Sequence, residues 1–194
     1  MRRDELEQYR GAPVDDLVGP GLRLLLVGIN PGLWTAAVNA HFARPGNRFW
    51  PALYRAGIVD RPIDASRGLT PADADLLVTR GVGITNIVNV ATARADELTV
   101  EQLRDGARRL ATLVQTAGPR VVGVLGLTAY RQAFGQPKAV AGRQPEDLGD
   151  AELWVAPNPS GLNAHASLGS LAADYRELAV RAGLPVGPTV PPGP

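Results

Sequence analysis

The chain has 194 residues, 45% of them hydrophobic and 20% charged, with a formal net charge of +1. That is the length and balance of one well-filled globular domain and excludes extensive disorder. No cysteine and only two histidines are present, which excludes disulfides, thiolate catalysis and Cys-ligated metals, and the near-neutral charge excludes a global pull on polyanions.

The first ten residues carry charge where a secretory signal needs an apolar core. No window approaches the ~18 apolar residues of a membrane span, so the expectation is a cytoplasmic, bacterial-type protein with no membrane partner. Residues 22–28 form a short apolar run closed by a turn, the pattern of a buried strand. Residues 47–56 place Phe49, Leu53 and Ala56 at helical spacing, and 71–79 predict a second helix. A second strand follows over 83–88. Residues 99–116 then predict a helix opened by a Thr99-x-x-Gln102 capping box.

A third strand over 120–125 leads directly into a helix over 127–134, and a fourth strand covers 152–156. The last helix, 167–182, carries Leu168, Leu171, Ala172, Tyr175, Leu178, Ala179 and Ala182 on one stripe. This alternation predicts one domain over 1–184, a three-layer α/β/α sandwich around a central, mainly parallel sheet of about four strands. Residues 185–194, with five prolines and two glycines, predict a disordered tail.

Two long turns, 30–47 and 157–166, follow the first and last strands, at the carboxyl ends where open parallel sheets bind ligands. The first begins Gly28-Ile29-Asn30-Pro31-Gly32, which fits neither Gly-x-Gly-x-x-Gly nor a Gly-Lys-Ser/Thr phosphate loop. Pro31 fixes φ, Gly32 admits a ligand close to the main chain, and Asn30 is held at the strand end with its amide free. The same residues also suit an ordinary strand-to-loop turn. In the second turn, Pro157 and Pro159 stiffen Asn158, and Ser160 and Gly161 lead to Leu162. An apolar residue on a polar tip is either incidental or a wedge for a base stack. Ser160 lacks the Gly-x-Ser-x-Gly elbow of a serine hydrolase. Phe49 and Trp50 fall on the following helix and read as core. Phe42 lies in the loop, where it can face a planar ligand; such stacking is worth about 1–3 kcal/mol per base.

Three segments, Gly28-Ile-Asn-Pro-Gly-Leu33, Arg44-Pro-Gly-Asn-Arg-Phe-Trp50 and Asn158-Pro-Ser-Gly-Leu162, in this order and spacing, resemble the motifs of the mismatch-specific uracil/thymine DNA glycosylase family. Weaker similarity runs from about residue 2 to residue 182. The resemblance implies that Asn30 positions the water attacking the sugar carbon, while Ile29, Gly32, Thr35, Phe42 and Asn158 line the base pocket. Phe42 would stack on the extruded base, with main-chain N–H groups at Ile29 and Phe42 stabilising the departing pyrimidine. Ser160, Gly161, Leu162, Asn163 and Arg48 would contact DNA, the loop entering the vacated space beside the widowed guanine.

Thr35 would crowd a thymine methyl, which implies uracil greatly preferred over thymine. Uracil-DNA glycosylases of the best-known type carry Asp and His where this chain has Asn30 and Asn158, which implies slower chemistry and a relaxed choice of base. Arginines common in the family are absent at Val90 and near Ala164, leaving Arg44, Arg48, Arg94 and His165 to hold the DNA. Asp96, in the loop before the Thr99 helix, is a second catalytic candidate, to activate water or orient Asn30; the alternative is a solvated carboxylate at a helix start.

The expectation is therefore a monofunctional hydrolase, acting as a monomer without metal or cofactor. It would remove uracil and related damaged pyrimidines from G·U mismatches in duplex DNA and leave an abasic site for base excision repair. Lys138, the single lysine, is remote from the motifs, which argues against an amine nucleophile. Two other classes share the pocket: a catalytically weak mismatch- or damage-binding module, and a small-molecule nucleotide-binding protein indifferent to duplex.

Overall fold

In the computed structural model, which describes residues 1–164 and 166–191, one sheet is built from β1 (Leu24–Gly28), β2 (Val82–Asn86), β3 (Val121–Leu125), β4 (Gly142–Arg143) and β5 (Glu152–Ala156). The spatial order is β2-β1-β3-β5-β4. β1 is parallel to β2 and β3, with Leu24 opposite Val82 on one side and Val121 on the other, and β3 is parallel to β5. The four parallel strands are those expected from sequence. The fifth, β4, adds two residues antiparallel to β5, too short an edge to leave a period-2 pattern.

The helices are α1 (Arg3–Glu7), α2 (Leu33–Ala37), α3 (Phe49–Arg55), α4 (Pro71–Arg80), α5 (Val100–Ala117), α6 (Leu127–Ala133) and α7 (Leu168–Arg181). Every residue of β1, β2 and β3 is buried, as strands covered on both faces must be. Alternate residues of β1 feed two different cores. Leu24 and Leu26 pack with Phe49, Leu53, Leu77, Tyr175 and Leu178 on the α3, α4 and α7 side. Leu25 and Val27 pack with Leu103, Leu110, Val114 and Tyr130 on the α5 and α6 side. Each such leucine, fully buried, contributes about 1.5–3 kcal/mol, so the sandwich is held from both faces.

Local signals set the helix ends. Thr99 Oγ1 accepts from Gln102 N at 3.1 Å while Gln102 Oε1 accepts from Thr99 N at 2.8 Å, the reciprocal box read from the sequence. Thr70 caps α4 ahead of Pro71, and Ser167 caps α7. Two readings change. The first long turn contains the short helix α2, and the C-terminal extension is pinned where it was expected to be loose. Gly187 N donates to Gly57 O at 2.9 Å and Val190 N to Arg55 O at 3.2 Å, while Val186 packs on the core. Proline-rich backbone is extended and has few donors, so two main-chain bonds, the Arg176 guanidinium donating to Gly187 O at 2.7 Å and an apolar anchor hold it. Residues 192–194 lie outside the described residues.

This order positions the site. The chain leaves β1 to build β2 on one side, then crosses through α5 to build β3 on the other. The carboxyl end of β1 is thus a topological switch point, where connecting segments diverge and leave a crevice.

Candidate active site

A cavity of about 150 Å³ opens at that end of the sheet. Each parallel strand contributes to its wall: Asn30 just after β1, Asn86 at the end of β2, Leu125 at the end of β3 and Asn158 just after β5. Ile29, Gly32, Thr35, Phe42, Arg44, Thr92 and Arg94 complete most of the lining. All five residues expected around a base are therefore in one cavity with Asn30. Asn86 was not singled out from sequence.

The Asn30 carboxamide is locked, contrary to the free amide expected. Its Nδ2 donates to Thr92 Oγ1 at 2.8 Å, Val90 O at 2.9 Å and Pro31 O at 3.1 Å. Two of these partners are carbonyl oxygens, and the Thr92 hydroxyl already donates to Arg94 O at 2.8 Å, so all three can only accept here. The NH2 end must face them. Oδ1 is left as the atom without a protein partner among the described residues, an acceptor for a water.

Asn158 is fixed in the opposite sense. Its Oδ1 accepts from Ser160 N at 2.9 Å, which leaves the Nδ2 donor available to a ligand carbonyl. Asn86 Nδ2 lies 3.2 Å from His41 Nδ1, and a Cβ at Gly28 would collide with Asn86 Oδ1 and press on the Phe42 ring. Glycine at position 28 is thus required by close approach to two cavity residues. At Gly32 an added Cβ meets nothing within 4 Å, so the wall is open there as expected.

Phe42 has φ 54°, an uncommon conformation for a bulky residue, costing about 1–3 kcal/mol. The loop is tied down beside it, since the buried Trp50 indole donates to His41 O at 3.0 Å. The strained backbone lays the ring against Phe49, centroids 4.0 Å apart and planes 16° from parallel. Phe49 and Trp50 are buried core residues, as read. The main-chain N–H groups of Ile29 and Phe42 bond to no other described residue, so both remain available as donors.

Next to the cavity the 158–163 bend meets the 44–47 turn around a second hollow lined by Arg44, Gly46, Ser160, Gly161 and Leu162. A Cβ at Gly161 would lie 2.6 Å from Gly46 O, so only glycine lets the two turns touch. Leu162 is 84% exposed at the tip. The Asn163 side chain turns back, its Nδ2 donating to Asn158 O at 2.9 Å. It braces the loop from within.

Two of the expected residues stand apart from the cavity wall. The Arg48 guanidinium, expected on DNA, donates to Ser160 O at 2.5 Å, Asn163 O at 2.8 Å and also Ala166 O, while Arg48 N donates to Pro159 O at 3.0 Å. Both terminal nitrogens are engaged with loop carbonyls while Nε is buried without a partner among the described residues, so it scaffolds the bend. Asp96 lies outside the cavity lining; its carboxylate is 62% exposed and paired with Arg94, which holds it below the usual carboxylate range. Arg44 is exposed and has no ion pair among the described residues. His165 lies outside the described residues. Lys138 is exposed between α6 and β4, away from the lining.

No cluster of three or more His, Asp or Glu able to hold a metal occurs among the described residues. The lining named for this cavity contains no carboxylate and no imidazole. What it offers is an oriented acceptor for water, an aromatic platform, amide groups for a polar planar ring and free main-chain donors. Among the described residues, no helix is long and apolar enough to cross a membrane.

The family model of the Uracil DNA glycosylase superfamily matches residues 16–181, the span from the segment before β1 to the end of α7. Among solved structures, the chain is similar to the solution NMR structure of a candidate uracil DNA glycosylase from Methanosarcina acetivorans. The TM-score is 0.58 at 17% identity, covering 88% of this chain and 98% of that one. At that identity the likeness shows the shared fold.

Proposed function

Since the chain belongs to the Uracil DNA glycosylase superfamily, we propose that it is a monofunctional DNA glycosylase that extrudes uracil from G·U mismatches and hydrolyses its N-glycosidic bond. The observation that carries this reading is the locked Asn30 carboxamide, on a residue that lines one cavity with Phe42 and Asn158.

In this reading the base stacks on Phe42 and one of its carbonyl oxygens accepts from Asn158 Nδ2. The bond from the sugar C1′ to the pyrimidine nitrogen breaks with its electron pair leaving on the base, and the sugar gains oxocarbenium character. A water held by Asn30 Oδ1 adds its oxygen to C1′ and releases its proton to solvent. A carboxamide aims a water but is a poor proton acceptor, so the larger share of the acceleration falls on stabilising the anionic base through the Ile29 and Phe42 N–H donors. Leu162 fills the vacated stack, and a weakly paired G·U costs less to open than a matched pair. The product is an abasic site, and repair by base excision is the process it feeds.

Matched duplexes carrying G·U, A·U or G·T, and single-stranded U, test the reading when each is incubated with enzyme and cleaved with alkali. G·U should be cut fastest, and Asn30→Ala should abolish cutting while G·U binding persists. The absence of a titratable base from the lining favours one competitor, a weak mismatch-binding module. Cleavage-free binding by the wild-type chain would establish that competitor instead.

A further inference from the structure

His41 stands behind the cavity wall. It is 5% exposed, with Nε2 at 3.0 Å from Asp15 O and Nδ1 at 3.2 Å from Asn86 Nδ2. A carbonyl oxygen only accepts, so Nε2 carries the ring proton and donates it. In the neutral ring Nδ1 then presents a lone pair, and Asn86 must answer with its NH2. Its Oδ1 is consequently turned toward Gly28 and the cavity.

The rest of Asn86 is fixed independently. Its residue pairs with Gly28 in the sheet, and its carbonyl accepts from Arg109 Nη2 at 2.5 Å. Only the sense of the carboxamide remains to be decided.

We propose that His41 is a positioning residue that sets this sense, and through it makes the pocket select pyrimidines bearing a ring N–H over those bearing a bare ring nitrogen at the same place. The proposal rests on reading the cavity as a pyrimidine pocket. Asn86 Oδ1 accepts from the N3–H of uracil, whereas the N3 lone pair of cytosine meets it with another lone pair and leaves both unsatisfied. A protonated His41 donates from both nitrogens, obliges Asn86 to turn its oxygen to the imidazole, and inverts the preference.

The surroundings keep the ring neutral. Burial pushes its pKa down from the ordinary 6.5, against the opposing influence of the Asp15 carbonyl and the Asp16 and Asp15 charges. Of those carboxylates, Asp16 is paired with Arg109 of α5 at 3.1 Å and Asp15 accepts from Asn39 Nδ2 at 2.8 Å. Phe42, Trp50 from α3 and Asn86 from β2, further side chains at this residue, carry no charge.

The test measures equilibrium binding of duplexes containing 2′-fluorinated deoxyuridine or deoxycytidine opposite an abasic spacer, so that neither base has a partner to leave. The wild-type chain should prefer the uracil duplex at least about tenfold, His41→Leu should shrink that preference to about threefold or less, and His41→Asn, with an acceptor oxygen near the Nδ1 position, should restore it. Long-range proton–nitrogen NMR, simple with two histidines, should show His41 neutral and protonated on Nε2 at pH 7.

A folded His41→Leu with wild-type preference overturns the proposal, and so does a ring protonated on Nδ1. Should His41→Leu not fold, the wild-type tautomer decides. Discrimination between the two bases without cleavage of a natural G·U duplex would refute the glycosylase reading and leave the His41 role standing; cleavage with unaltered His41→Leu selectivity would do the reverse.

Discussion

The Phe42 ring lies flat on the buried Phe49 ring, 4.0 Å between centroids and 16° between planes. A platform built this way is supported from beneath by the core, so its position does not depend on the ligand. Phe42→Ala should weaken binding of an extruded-base duplex by about 1–3 kcal/mol, roughly five- to 150-fold. Thermal unfolding should change less than for a core deletion, because the ring lost is only half-buried, although alanine keeps the Cβ and with it the cost of the positive φ. Phe49→Ala should instead cost about 3–5 kcal/mol of stability. Calorimetry alongside fluorescence binding separates the two; equal effects on both quantities in Phe42→Ala would remove it from the site.

Arg48 and Arg44 stand one turn apart and should behave oppositely in salt. Arg48 donates to three loop carbonyls, so Arg48→Met should lower stability by about 1–3 kcal/mol and slow excision while leaving the salt dependence of DNA binding unchanged. Arg44→Gln should preserve stability and reduce the slope of log affinity against log salt by about 0.9. A reduced slope in Arg48→Met would restore Arg48 to the DNA backbone.

Thr35 is 6% exposed on α2 and lines the cavity. If its branched side chain crowds the position of a thymine methyl, G·U should be cut about 10–200-fold faster than G·T. Thr35→Ala should narrow that ratio mainly by raising the G·T rate, as single-turnover kinetics on both duplexes would reveal. A ratio near one in the wild-type chain would place the methyl elsewhere.

Asp96 is held below its ordinary 3.8 by the Arg94 guanidinium. A carboxylate with a depressed folded value is ionised throughout the neutral range. Any stability it adds is present above the ordinary value and lost as pH falls through the folded one. It therefore imposes no titration on the reaction near neutrality. With no carboxylate or imidazole in the lining either, the rate should be flat between about pH 7 and 9. Asp96→Asn should match wild-type single-turnover rates; a drop of tenfold or more would bring the carboxylate back into the chemistry.

Much of the architecture was legible because its signals are local: apolar runs for the four parallel strands, a Thr99–Gln102 box for α5, a stripe for α7. The motif residues Asn30 and Asn158 stood out for a similar reason, as each sits in a stiff turn at a strand end, and Phe42 stood out as an aromatic in the loop between α2 and α3. The failures share a cause. Asn86 closes an apolar strand and reads as part of it, and its partner His41 lies 45 residues away. Arg48 looks like a free cation until the carbonyls of residues 160, 163 and 166 are folded onto it. The docked tail depends on Gly57 and Arg55 carbonyls that no proline count reveals.

Because one wall residue stands at or beside the carboxyl end of every parallel strand, the spacing between Asn30, Asn86, Leu125 and Asn158 is inherited from backbone pairing. A strand slipped by two residues would preserve which face is buried yet carry its polar group about 6.6 Å along the sheet axis. Substitutions deep in the β1–β3 ladder, far from any base, are thus capable of detuning the pocket, and amide exchange at those ladder positions becomes a gauge of how faithfully the pocket keeps its shape.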